Sequence, residues 1–348
     1  MCHLYPPYLG GVEKYVYAIA TRLNARHDVT VITTDPSKKL PKSERADGVL
    51  IRRFPSLAFS ESIYHSTQMF GYLRQHSDDY DLVHANNYHA LPSYYAAESK
   101  RRNRLVLSPH FHGARGHSPM RSFLHIPYRL LGWRIFRRSD LVICNTNFEK
   151  NQILKDFRVS RAKLSVIRQG VDYVAHLPTD KAHDTKTLLC VSRLERYKGI
   201  QYAIKALKHL PSFDLVIVGA GPYGGTLRRL TEELGLKNRV AFKQAVSQED
   251  LDGIFSNSDV AVLLSEHESY SQFVAEALSS GIPCVVAKRG ALLEWVDGKT
   301  CVGVDNPGDA VEVAHAVLRL SGRKVTCGLP TWDDYAAKLE ALYRVLVD

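Results

Sequence analysis

The sequence predicts an α/β protein made of two Rossmann-like, doubly wound domains with a ligand cleft between them. Three observations carry this expectation. Short β-branched runs alternate with amphipathic helical patterns, the signature of βαβ units and a parallel sheet. At 348 residues the chain is too long for one hydrophobic core. The alternation breaks once, over Arg168–Lys186, a polar stretch of mixed charge containing Pro178, and then restarts.

In the first half the strand candidates are Val29–Thr33, Val49–Phe54, Leu82–Ala85, Leu105–Ser108, Leu141–Cys144 and Leu164–Ile167, with helices over Val12–Leu23, Leu91–Ser99 and Phe148–Phe157. In the second half the strands are Thr187–Val191, Leu215–Val218, Val240–Phe242, Val260–Leu264 and Cys284–Val286. The helices there are Ile200–Leu210, Gly225–Leu234, Glu249–Ser256, Ser271–Ser280 and Ala310–Leu320, and Thr331–Val347 follows Pro330. The expected domains are 1–170 and 171–330, with the helix of 331–348 returning to the first. One feature resists the pattern. The loop Tyr5-Pro-Pro-Tyr-Leu-Gly10-Gly11 runs straight into a helix, leaving only Met1–Leu4 for the strand that should precede it. A first strand so short is expected to expose its neighbour and weaken the domain.

Composition narrows the partners. The six cysteines are scattered without metal or redox spacing and read as buried thiols of a reducing compartment. No apolar run approaches the ~20 residues of a membrane helix, so a cytoplasmic location is expected. The net charge of +10 is uneven: Lys100–Arg138 holds ten Lys or Arg and no Asp or Glu, interleaved with Met120, Phe123, Leu124, Ile126, Tyr128, Leu130, Leu131, Trp133, Ile135 and Phe136. That stretch is either a solvated basic helix face or a contact with an anionic membrane surface. No nucleic-acid motif accompanies it.

Three constellations can carry chemistry. Gly219-Ala-Gly221-Pro-Tyr-Gly224 matches the dinucleotide pattern, but the next strand ends in Phe242-Lys243-Gln244 with no acid for a ribose, so nicotinamide binding is disfavoured. The glycines read instead as a tight strand-to-helix turn, or as backbone that a phosphate can approach. Glu268 and Glu276 flank a strand-to-helix loop and the following helix start. Carboxylates there can accept paired bonds from vicinal hydroxyls, while the free N–H groups at the helix start suit phosphate. Arg193 and Lys198, in Ser192-Arg-Leu-Glu-Arg-Tyr-Lys198-Gly199, can take phosphate oxygens by fork and by point charge. Cations before a helix N-terminus are unfavourable unless an anion joins them.

In this order, Tyr5-Pro-Pro-Tyr-Leu-Gly10-Gly11-Val-Glu13, Val166-Ile-Arg-Gln-Gly170-Val-Asp172, Ser192-Arg193…Lys198-Gly199, Val218-Gly219-Ala-Gly221-Pro222 and Glu268-x7-Glu276-Ala-Leu-x-x-Gly281-x-Pro283 resemble glycosyltransferase family 4, retaining enzymes of the GT-B fold. The resemblance implies transfer of a hexose from a nucleoside-diphosphate sugar to an acceptor hydroxyl, without a cofactor or bound metal. It implies that Arg193 and Lys198 bind the donor diphosphate, that Glu276 holds the ribose and that Glu268 holds the transferred sugar. Gly10 and Gly11 would let backbone approach the donor, as would Gly219 and Gly221. Ser269, Tyr270, Ser271 and Gln272 would complete the donor loop. His110, in Ser108-Pro-His110-Phe-His112-Gly, matches the family's histidine near the reacting carbon. His112 competes with it, and His84 is a further candidate at a strand end.

The chain departs from the family in reading Glu268-Ser-Tyr-Ser271 where many members have Glu-Gly-Phe-Gly, and Arg168-Gln169 where Pro-Asn is usual. The basic stretch falls in the first domain, the acceptor side in this family. The expected acceptor is therefore a glycan or a lipid-linked molecule, and the protein is expected to be peripheral to the inner face of the membrane. A nucleotide-sugar epimerase of the same fold, or a non-catalytic nucleotide-sugar-binding subunit, are the rival readings.

Overall fold

The computed structural model describes residues 1–8, 10–58, 64–113, 119–172, 185–244 and 246–348, with backbone alone for 119–127. The chain divides into two compact units, Met1–Gly170 with Pro330–Asp348, and Val171–Leu329.

The first unit runs α1 (Gly11–Leu23), β1 (Thr30–Asp35), β2 (Ser43–Ala46), β3 (Val49–Pro55), β4 (Leu57–Ala58), β5 (Tyr64–His65), α2 (Thr67–His76), β6 (Leu82–Asn86), α3 (Leu91–Ser99), β7 (Arg104–Ser108), α4 (Pro119–Arg138), β8 (Leu141–Cys144), α5 (Asn147–Asp156) and β9 (Leu164–Val166). The strands form two larger sheets, ordered β1-β3-β2 and β6-β7-β8-β9, plus the β4-β5 pair. Met1–His3 lies in the gap between the two. Cys2 N donates to Ile32 O (3.1 Å) and Thr34 N to His3 O (3.2 Å) on one side, and Asn86 N donates to Met1 O (3.0 Å) on the other. Three residues thus take the place of the short first strand and cover the inner edges of β1 and β6, which the sequence reading had left exposed.

The second unit holds β10 (Lys186–Val191), α6 (Ile200–Ala206), β11 (Phe213–Val218), α7 (Gly224–Glu233), β12 (Val240–Lys243), α8 (Gln248–Ser256), β13 (Val260–Leu263), α9 (Gln272–Ser279), β14 (Cys284–Ala287), β15 (Cys301–Val304) and α10 (Ala310–Leu320). Its six-stranded sheet is ordered β12-β11-β10-β13-β14-β15 and every pairing is parallel. Strand alternation builds two cores. Leu188, Cys190, Leu215 and Val262 pack on one face with Ile204 and Val317. Leu189, Ala261, Leu263 and Val286 pack on the other with Phe273 and Leu278. β13 and β14 are buried throughout, which is why they read as unbroken apolar runs.

The chain ends in α11 (Trp332–Val347), opened by a capping box in which Thr331 Oγ1 accepts from Asp334 N and the Asp334 carboxylate accepts from Thr331 N. This helix belongs to the first unit. Tyr335 OH bonds Tyr15 OH (2.7 Å) and Arg22 Nε donates to Asp333 (2.9 Å). Some elements differ from expectation. α2, β2, β4, β5 and β15 were not anticipated, and the helix expected over Ile200–Leu210 ends at Ala206 and tightens into a 3₁₀ turn, Leu207–His209. Most of the Arg168–Lys186 connection, residues 173–184, lies outside the described residues.

Candidate functional site

In the second unit β10 lies between β11 and β13, so successive connections leave it in opposite directions. Ligands of doubly wound sheets bind beyond the carboxyl ends of the strands at such a switch point. The Arg193–Lys198 loop follows β10 and the Glu268 loop follows β13, so the sheet itself brings these residues together.

The centre of the arrangement is an ion pair. Lys198 Nζ donates to Glu268 Oε1 at 2.7 Å, with side chains only 15% and 13% exposed. Burial pushes the ammonium's pKa down, but the Glu268 carboxylate and the Tyr197 ring system outweigh it, and the net shift is upward. Lys198 therefore stays charged, and two of its three N–H groups remain for another acceptor. The two loops are also stitched through backbone, with Glu266 N donating to Tyr197 O at 2.8 Å. Arg193 is half exposed, its guanidinium donating to Tyr197 OH at 3.1 Å and lying 3.5 Å from Glu195.

α9 begins immediately after this loop. Its N-cap, Ser271, accepts from Val274 N through Oγ (3.3 Å) while its backbone holds φ +86° and ψ 90°. A residue with a Cβ is strained there, and this is one of the two positions where the family favours glycine. Ser271→Gly is expected to stabilise the protein by about 1 kcal/mol, because relief of ~1–3 kcal/mol of strain exceeds the few tenths lost when glycine replaces a serine cap. A denaturant titration reads this directly, and a lower midpoint for the variant would contradict it. Ser269 and Gln272 are half-buried on either side of the cap, and Glu276 is half-buried in the second turn of α9. Tyr270, the next residue of the loop after Ser269, is 3% exposed, its ring packs on Trp295 at 5.2 Å, and its carbonyl accepts from Trp295 Nε1 (2.7 Å). Its side chain is core.

Gly219 and Gly221 have a physical reason of their own. Leu194 N donates to Ala220 O (2.9 Å) and Tyr223 N to Leu194 O (2.9 Å), so the two loops lie backbone against backbone. Gly219 has φ +140°, and a Cβ on it would overlap the Ser192 carbonyl, as one on Gly221 would overlap that of Leu194. Their smallness holds the Arg193 loop in place.

In the first unit, His110 follows β7 with φ +50°. Asn145 Nδ2 meets its Nδ1 at 3.2 Å, and Tyr15 packs edge-on at 5.0 Å. Burial, with His3 nearby, depresses its pKa to about 4, so the ring is neutral at physiological pH. Its Nε2 has no hydrogen-bond partner among the described residues. His112 stacks on His89 at 5.4 Å. His84 is committed within the unit: Nε2 meets Ser108 Oγ (2.8 Å) and Nδ1 meets Tyr343 OH (2.5 Å), which ties β6 to α11. That leaves neither nitrogen for a ligand, a structural role that the sequence reading did not separate from a chemical one. Gly10 and Gly11 open α1; Gly10 lies over the Glu13 carboxylate, while the space beside Gly11 is open. Sequence reasoning missed Asn145 and Glu149. The latter is fully buried and accepts from Phe111 N (2.6 Å) and Asn145 N (2.7 Å).

An α/β chain with a parallel six-stranded sheet and a buried Lys–Glu pair at its switch point can be set beside known proteins. The chain matches the family model Glycosyltransferase Family 4 over residues 9–174 and the model Glycosyl transferases group 1 over residues 176–325. It belongs to glycosyltransferase family 4 and has the GT-B fold. It is 28% identical over 345 residues to a GDP-mannose-dependent alpha-(1-6)-phosphatidylinositol monomannoside mannosyltransferase of Mycolicibacterium smegmatis, covering 92% of this chain and 88% of the relative. It is 28% identical over 346 residues to a D-inositol 3-phosphate glycosyltransferase of the same organism, covering 89% and 79%. Among solved structures, sucrose-phosphate synthase from Thermosynechococcus elongatus superposes with a TM-score of 0.74 at 20% identity, covering 97% of this chain and 94% of that one. Anabaena HepE in complex with UDP and glucose superposes with a TM-score of 0.73 at 20% identity, covering 99% and 96%.

Proposed function

We propose that the chain transfers a hexose from a nucleoside-diphosphate sugar to a hydroxyl of a lipid-linked or glycan acceptor, with retention at the anomeric carbon and without a bound metal. The observation that carries this is the buried Lys198–Glu268 pair at the switch point, beside the N-terminus of α9. A relative named for GDP-mannose and a neighbour holding UDP and glucose support the donor class. In the step proposed, the bond from the sugar's C1 to the diphosphate oxygen breaks and a bond from C1 to the acceptor oxygen forms on the same face. The acceptor proton passes to the departing phosphate. Arg193, Lys198 and the α9 N–H groups stabilise the charge on that phosphate. Glu268 orients the sugar and Glu276 the ribose.

Thermal stabilisation tests the donor. Uridine, guanosine and adenosine diphosphates, their hexose conjugates and a nicotinamide dinucleotide are compared with a chelator present. Ligand at about 100 times its Kd adds about 2.7 kcal/mol to stability. One diphosphate and its sugar are expected to raise the melting temperature, and Glu276→Ala to remove the shift. A shift with the nicotinamide alone would overturn the reading.

A lipid-linked acceptor is favoured by α4. Arg129, Leu130, Trp133, Arg134 and Arg137 share its exposed face, with Leu130 74% and Trp133 49% exposed. Arg137 lies over the Trp133 ring at 5.1 Å. Mixed cations and apolar side chains on one helix face suit an anionic bilayer surface. No described helix is long and apolar enough to cross a membrane, so the attachment proposed is peripheral, on the cytoplasmic face. The remaining residues of the basic stretch, 114–118 and the side chains of 119–127, including Met120, Phe123, Leu124 and Ile126, lie outside the described residues. Cosedimentation with phosphatidylglycerol vesicles is expected at low salt and lost at high salt; its absence at low salt refutes this surface.

A further inference from the structure

The side-chain amide of Asn145 meets His110 at Nδ1, and Nε2 is buried as well. The amide's NH₂ group, which can only donate, is placed 3.2 Å from His110 Nδ1, an arrangement in which that nitrogen accepts and carries no proton. In a neutral imidazole the single proton is then on Nε2, the atom without a partner among the described residues. Asn145 is itself 1% exposed, and its placement is fixed from below. The Glu149 carboxylate accepts from Asn145 N (2.7 Å) at the end of β8 and from Phe111 N (2.6 Å) in the loop that follows β7, and Thr146 Oγ1 accepts from Glu149 N (3.0 Å). One carboxylate therefore clamps the two strand ends that carry the two side chains, so their separation is set by backbone.

We propose that Asn145, held by Glu149, is a positioning residue that locks His110 in the Nε2–H tautomer and so makes it a neutral hydrogen-bond donor toward a substrate hydroxyl. This rests on reading His110 as an active-site group. A histidine in this state gives a hydrogen bond without taking a proton, which suits a reaction whose acceptor proton goes to the leaving phosphate. The charged and titratable groups near the ring favour neutrality. His3 and His84 stand by it, each itself depressed by burial, Tyr15 presents its ring from α1, and the Glu149 carboxylate accepts from the backbone N–H groups of Phe111 and Asn145.

The test is a long-range ¹H–¹⁵N spectrum of the histidine rings in the full chain at neutral pH, with His110→Gln to assign the signals. The expected pattern is a protonated Nε2 and an unprotonated Nδ1 for His110. Asn145→Asp, which keeps the shape but offers only acceptors to Nδ1, is expected to move the proton to Nδ1 or to add a second. It should also lower kcat for release of nucleoside diphosphate from GDP-mannose or UDP-glucose, whichever the wild type uses, by about tenfold, leaving the donor KM within about twofold. Asn145→Ala should give a mixture of tautomers. A wild-type Nδ1–H form, or an Asn145→Asp spectrum unchanged from wild type, overturns the proposal whatever the activity. An Nε2–H ring in a protein that consumes neither donor upholds the tautomer lock and counts against the transferase reading instead.

Discussion

Replacing Lys198 with methionine is expected to lower transfer by about 10²–10³-fold and to destabilise the second unit by about 3 kcal/mol. Both effects come from the same contact. The ammonium donates to Glu268 at 2.7 Å in a place where both side chains are largely shielded from water. Removing one partner leaves the other charge buried without compensation, which costs more than the pair itself contributes. Glu268→Gln should repeat the loss in milder form, since an amide still accepts from lysine. In the double variant Lys198→Met/Glu268→Gln no stranded carboxylate remains, so stability should recover part of the sum of the two single losses, while transfer should not recover. The sign of the pH dependence follows from the lysine's raised folded-state pKa. Its stabilisation is fully present below the unfolded value and is lost as pH rises through the folded one. On the lysine's side, the stability gap between wild type and Lys198→Met should therefore persist through neutral pH and narrow under strongly alkaline conditions. Equal melting temperatures for wild type and variant at neutral pH would show that the pair is not coupled as the structure has it.

That pair was within reach of the sequence because each member sits on a loop after an apolar strand, and loop position follows from alternation alone. β13 and β14, buried on both faces, could hardly be read otherwise. Of the elements that escaped, three show the physical reason. β2 (Ser43–Ala46) is a polar edge strand with no buried residue, so it has no hydrophobic period to show. β15 is interrupted by Gly303, and α2 buries only Met69 and Leu73. In the candidate site the missed residues are those whose meaning is a long-range contact. Asn145 and His110 are 35 residues apart in sequence, and nothing local distinguishes a strand-end asparagine that orders a histidine from one that caps a turn. His84 shows the converse. Its position at a strand end suggested chemistry, but Tyr343, 259 residues away, takes one of its nitrogens.

Gly199→Ala is expected to disable the site without removing any group that touches substrate. Gly199 follows Lys198 directly and has φ +74°, a region in which a Cβ costs ~1–3 kcal/mol by itself. Here the Cβ would also overlap the Leu264 carbonyl oxygen. That oxygen belongs to the backbone just past β13, and Leu264 is 2% exposed, so it cannot retreat as a flexible side chain would. The β10 and β13 loops must separate instead. The cost is expected at about 3 kcal/mol or more, a fall of roughly 6–12 °C in melting temperature for a domain of this size. Separation also breaks the bond from Glu266 N to Tyr197 O and widens the distance between Lys198 and Glu268. Donor binding should therefore weaken together with kcat, unlike in Asn145→Asp, where kcat falls alone. The comparison with Gly225→Ala is the control, because a methyl at Gly225 would meet nothing within 4 Å and, inside α7, should be neutral or slightly stabilising. If Gly199→Ala melts with wild type while binding the donor equally well, the close approach of these two loops is not what places the ion pair.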